Sequence, residues 1–225
     1  MTTTKLYPAY DIAISRDAGG ETFAQIIGGD GTATENSADP WLPLLSGEES
    51  PLFDILTRMF FTFDTSALGA GVTVTGARFG FTANSKGNDL GSPAVTITGA
   101  NPANPTSMAA GDYDTVEATS LGTVAYASIT ADNATYNVIA LNASGLAEIN
   151  KTGYTVLVAR LGWDVDGSFG GAWDGPWANS HVAINMSEIA GTDKDPYLEI
   201  DYTVSAGVPV GPSGGCSINS GCFIV

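Results

Sequence analysis

The sequence predicts an all-β fold, an antiparallel β-sandwich or jelly roll, and three observations carry that prediction. Short runs rich in Val, Ile, Phe, Tyr and Thr recur along the chain, with apolar and polar side chains alternating. Between them stand 28 Gly and 11 Pro, residues that serve turns rather than helices. Helical periodicity is confined to one segment. With 225 residues, 44% of them hydrophobic, the chain is long enough to bury one sizeable sandwich core and cramped for two.

Taken in order, strands are expected at 10–14 and 22–27, parted by the polar turn Arg16-Asp17-Ala18-Gly19-Gly20. Residues 28–39 read as a loop. Trp41-Leu42-Pro43-Leu44-Leu45 is apolar, but Pro43 has no N–H to give a ladder, which favours a loop plugging one end of the core. The strongest strand pair is 56–64 with 72–82, joined through Gly69 and Gly71; Phe61 and Phe63 share one face, and Val72 and Val74 can supply the opposing layer. Further strands are expected at 94–99, 122–127, 136–140, 154–161, 181–185 and 197–204.

The one helix falls at 143–151. Asn142 can cap its orphan amides, Gly153 follows its end, and Leu146 and Ile149 lie at helical spacing, so they bury against the sheet. Residues 187–196 form a polar connector ending in Pro. The expected organisation is one sandwich domain, 1–205, followed by a Gly/Pro/Ser-rich tail, 206–225.

Charge removes some functions. Against 24 acidic side chains there are 8 basic ones, a net charge of -16 spread along the chain, which repels a phosphate backbone and argues against direct nucleic-acid binding. Neither a signal-peptide pattern nor a run of about 18 apolar residues occurs, so a chain folding in the cytosol of its producer, with no membrane partner, is expected.

Candidate chemistry gathers in the loop 163–177, which holds three of the four Trp residues. Sugar rings stack their C–H faces on indoles while carboxylates accept hydroxyl hydrogen bonds, so Trp163, Trp173, Trp177 and Asp174 could build a glycan platform. The same loop could fold over the sandwich end or into a subunit contact. Asp164-x-Asp166-Gly167 matches the start of a calcium loop, making Asp164 and Asp166 candidate cation ligands, although the terminal Glu of that pattern is missing. His181 is the only His, with no nucleophile placed beside it, and no pair of carboxylates is set for sugar hydrolysis; no catalytic residues are expected. In the tail, Cys216 and Cys222 could close a short disulfide loop in an oxidising medium. Phe223, Ile224 and Val225 are too apolar for a merely solvated end and are expected to act as an assembly arm.

Three fragments in order, Arg58-x-x-Phe61-x-Phe63-Asp64-Thr65-Ser66-Ala67-Leu68, Val72-Thr73-Val74-Thr75-Gly76-Ala77, and Ser187-Glu188 with Pro196-Tyr197-Leu198-Glu199-Ile200-Asp201-Tyr202, resemble the DNRLRE domain, a family of jelly-roll modules related to carbohydrate-binding modules. The resemblance covers most of residues 10–204. Its middle segment, 141–153, is similar to a variant found in phage and environmental sequences, often among virion structural proteins. The resemblance thus implies a non-enzymatic virion structural protein, a capsid decoration or a fibre or appendage subunit. Such a protein would be made in the host cytoplasm, self-associate as a homo-oligomer and contact other virion proteins. Two alternatives stand beside it: an extracellular carbohydrate-binding adhesin using the loop 163–177, and a subunit of an extracellular filament.

Overall fold

A computed structural model describes residues 1–38 and 40–204; the tail positions Cys216, Cys222, Phe223, Ile224 and Val225 lie outside the described residues. Twelve strands run along the described chain: β1 (Thr2–Leu6), β2 (Tyr10–Glu21), β3 (Ala33–Glu35), β4 (Trp41–Ser46), β5 (Phe53–Asp64), β6 (Val72–Asn88), β7 (Val95–Gly99), β8 (Gly122–Val124), β9 (Tyr136–Ala140), β10 (Tyr154–Leu161), β11 (Asn179–Ile184) and β12 (Tyr197–Val204). Three short helices interrupt them, α1 (Phe23–Ile26), α2 (Ala143–Glu148) and α3 (Gly162–Asp166). The fold is all-β.

Every ladder is antiparallel, and the strands join in one sheet of order β1-β12-β6-β11-β4-β5-β10-β7-β8, with β2 also on β5, β3 on β2 and β9 on β6. The sheet curls until β5 faces β6 across the core. The Phe61 and Phe79 ring centroids are 5.1 Å apart and those of Phe63 and Phe79 6.4 Å. Because side chains alternate across a strand, Met59, Phe61 and Phe63 enter this core, which Phe81, Ile139, Leu198 and Ile200 help to fill.

The opposite face of β5 is buried as well. Arg58 and Phe60, with Ile12 and Ile14 of β2 and Val158 of β10 in register beside them, lie under α1 and the segment 101–121. The Thr62 hydroxyl donates to Pro105 O at 2.6 Å, and the Tyr113 hydroxyl donates to Ile26 O at 2.9 Å. A strand covered on both sides is buried along nearly its whole length, as 53–63 is, so its polar residues Asp54, Thr57, Arg58 and Thr62 are buried together with its apolar ones.

β9, β10 and β12 span the residues expected, and α2 starts where Asn142 predicts, with Asn142 Oδ1 accepting from Gly145 N at 3.0 Å. Ile149 is buried and Leu146 packs on the core margin. Elsewhere the structure corrects the expectation. Residues 22–27 are not a strand: Thr22 follows β2 as the N-cap of α1, its N–H donates to Gln25 Oε1 at 3.0 Å, and the chain turns into α1. The supposed plug at 41–45 is the strand β4, paired with β11. Pro43 is accommodated because the ladder to β5 begins only at Leu44, so at Pro43 the strand has one bonded neighbour. β5 and β6 are not a hairpin but opposite layers, and Phe79 rather than Val72 or Val74 meets Phe61 and Phe63. The turn between them is a 3-10 turn at Ser66–Leu68, whose first N–H donates to Asp64 Oδ1 at 3.0 Å.

Candidate functional site

Arg58, in the middle of the buried strand β5, is only 1% exposed and so must find every hydrogen-bond acceptor inside the protein. Its Nε and Nη2 donate to Asp164 Oδ2 and Oδ1 at 2.8 and 2.6 Å, and its Nη1 and Nη2 donate to Tyr113 O and Ile27 O at 2.7 and 2.8 Å. The guanidinium lies 3.9 Å from the Tyr113 ring centroid. Arg160 of β10 grips the same carboxylate from the other side, with Nε to Oδ2 at 2.7 Å and Nη2 to Oδ1 at 2.8 Å, while its Nη1 donates to Glu117 O at 3.0 Å.

Burial alone would push the Asp164 carboxyl up, but the hydrogen bonds from Arg160 and Arg58 outweigh it and hold the group below the usual carboxylate range. Asp164 is fully engaged by two guanidinium groups, it sits with Asp166 in the helix α3 rather than in an open loop, and among the described residues no group of three or more His, Cys, Asp or Glu is placed to hold a metal ion. The cluster is a structural lock that ties α1, α3 and the segment 101–121 to β5 and β10.

A second set of buried carboxylates surrounds the connector 187–196. Asp11 is 1% exposed and accepts from Ser187 N at 3.0 Å and Ser187 Oγ at 2.7 Å; burial nevertheless raises its pKa. Asp195 is buried, its Oδ1 has no hydrogen-bond partner among the described residues, and its pKa is pushed up to about 6 by burial, with the carboxylates of Asp11 and Asp193 adding to the effect. A raised carboxyl pKa means that folding penalises the charged form, so the penalty is absent below the ordinary value of 3.8 and complete above about 6. Asp195→Asn is therefore expected to melt a few degrees above the parent protein at pH 7.5 and level with it near pH 4, as read by calorimetry. A variant that melts lower at pH 7.5 would show that this carboxylate is held by a partner.

The Trp-rich loop is divided by the fold. Trp163, at the start of α3, packs edge-on against Phe169, with centroids 4.9 Å apart and planes at 72°, and joins the core margin rather than a platform. Trp173 is half-buried and its Nε1 donates to Leu52 O at 3.4 Å. Trp177 is 58% exposed and has φ of 64°, a left-handed conformation rare for a bulky residue. It is held there from both sides: Ser46 Oγ donates to Gly175 O at 2.7 Å, and Ser46 N donates to Ala178 O at 2.9 Å. Strain over-determined by neighbours is a feature of functional positions.

The Trp177 indole lines a cleft of about 400 Å³ together with Gly19, Gly20, Glu48, Glu49, Leu52 and Asp54. Trp173 and Trp177 are thus brought to the same turn, while Asp174, though exposed, is not among the cleft-lining residues. Glu48, Glu49 and Asp54 carry no local motif, and only the pairing of β2 with β5 and β4 with β5 brings them to the indole. An exposed indole beside carboxylate acceptors can stack on a sugar and accept hydrogen bonds from its hydroxyls. His181, the lone His, is paired with Asn179 Oδ1 at 2.6 Å and takes no part in this cleft. Among the described residues, no helix is long and apolar enough to cross a membrane. Compared with models of protein families and with curated proteins, the chain matches none.

Proposed function

We propose that this chain is a non-enzymatic virion structural protein, a decoration or appendage subunit that works as a homo-oligomer on the particle. The observation that carries the reading is how the three fragments resembling the DNRLRE domain come together. Arg58 is the centre of the buried lock, Phe61 and Phe63 fill the core against Phe79, and the terminal fragment is β12, paired with β6. Even the small residues have structural work. Thr65 Oγ1 donates to Asn150 O at 2.5 Å and meets Thr155 Oγ1 at 2.8 Å, and Ser187 is held by Asp11. Motif residues spent on rigidity suit a building block that must keep its shape while its surface loops vary. Electron microscopy of the purified chain tests the reading: closed rings or trimers are expected, and particles of monomer size at every concentration would contradict it.

The Trp177 cleft favours a second reading, a carbohydrate-binding module or the glycan-contacting part of such an appendage. On that reading Trp177→Ala lowers retention on immobilised polysaccharide at least tenfold and leaves the far-ultraviolet circular dichroism unchanged, since a half-exposed indole contributes little to the core. Altered oligomerisation in its place would assign the indole to a subunit contact.

A further inference from the structure

A second exposed indole lies at the other end of β4. Trp41 opens the strand, whereas Ser46, which anchors the backbone around Trp177, closes it. Trp41 is 50% exposed, and one face of its ring lies flat on His181, with centroids 4.1 Å apart and planes at 7°. His181 is itself fixed, with Nδ1 donating to Asn179 Oδ1 at 2.6 Å and Nε2 facing Ser85 Oγ at 3.4 Å. Burial lowers its pKa, so the backing ring is uncharged at neutral pH. The indole is therefore held in one orientation before any ligand arrives, which removes much of the ordering cost of stacking.

Trp41 also lines a groove of about 320 Å³. Pro43 and Ile55 supply apolar floor, Ser15, Ser37 and Thr57 supply hydroxyls, and Glu35 supplies a carboxylate that already accepts from Ser37 Oγ at 2.7 Å. Among the described residues no basic side chain lines it, and the chain's net charge of -16 opposes an anionic ligand. A single aromatic plate, rather than a cage of several, is poorly built for an organic cation. One flat apolar plate beside several hydroxyl and carboxylate acceptors matches a pyranose, whose C–H face and hydroxyl edge have the same division. We propose that the Trp41 groove is a binding site for a neutral saccharide, separate from the Trp177 cleft and independent of the virion reading.

Native gels cast with soluble galactomannan, xyloglucan, mixed-linkage β-glucan or dextran test this with the full chain. The parent protein is expected to be retarded by at least one polymer, Trp41→Ala to lose at least tenfold in apparent affinity for it, and Trp41→Phe, which keeps a ring on His181, to retain most of it. Ser37→Tyr, which adds bulk to the groove while leaving Trp41 in place, is expected to abolish retardation and keeps the test decisive should Trp41→Ala fail to fold. Retardation by none of the polymers overturns the proposal, as does undiminished binding by Ser37→Tyr. Loss through Trp177→Ala but not through Trp41→Ala moves the saccharide to the acidic cleft and also overturns it. A change of oligomeric state in Trp41→Ala without any polysaccharide retention assigns the groove to a contact between copies.

Discussion

Asp164→Ala is expected to destabilise the protein by about 3–5 kcal/mol, because it leaves two buried guanidinium groups without their shared counter-charge. For a domain of this size that corresponds to a fall in Tm of roughly 6–20 °C. The cost comes from the orphaned cations rather than from the intrinsic worth of the ion pairs. Replacing Arg58, Asp164 and Arg160 together by apolar residues of similar volume is accordingly expected to recover much of the loss. The pH dependence has a definite sign: a carboxyl held below its ordinary pKa contributes stability at neutral pH that is lost as the pH falls through the folded value. The parent protein should therefore lose this contribution only in acid, and Asp164→Ala should lack it at every pH. A variant with the parent's melting temperature at pH 7 would show that the cluster is not a lock.

Phe61→Ala carries the second large effect, about 3–5 kcal/mol for removing a fully buried aromatic ring. Phe61 touches Phe79 across the core, so the cavity opens between the two layers, where rigid strands on both sides limit collapse. Urea denaturation measures it, with the midpoint shifted and the slope retained. An unchanged midpoint would place Phe61 outside the core.

These two sites differ in how readily the sequence discloses them. The burial of Phe61 follows from local alternation and the run of aromatics around it, and the same local signal fixes the bounds of β9, β10 and β12. β1 escapes because Thr2, Thr3 and Thr4 give no apolar alternation in an edge strand, and α1 escapes because four residues are barely one turn. The apparent β5–β6 hairpin fails for a geometric reason. The 3-10 turn after Asp64 carries the chain to the opposite layer instead of folding it back beside itself.

Asp164 shows the limit of local spacing. Its alternation with Asp166 resembles a cation loop, but its chemistry is decided by Arg160, four positions before it, together with Arg58, 106 positions away, and no pattern within the loop reports the distant partner. A hint existed in Arg58 itself, a charge followed directly by the apolar run Met59-Phe60-Phe61, which must be paired when buried. The Trp-rich loop is similar. Composition picks out the loop, yet whether each indole is core or surface depends on Phe169, Leu52 and Ser46, and only Trp177 emerges to line a cleft.

The virion assignment is tested most directly by protein mass spectrometry of density-gradient-purified particles from a lysate of the producing cell. Peptides of this chain are expected in the particle fraction, at a fixed ratio to the major shell protein that survives repeated banding. Recovery of the chain only in the soluble fraction, with none banding alongside the particles, would contradict it.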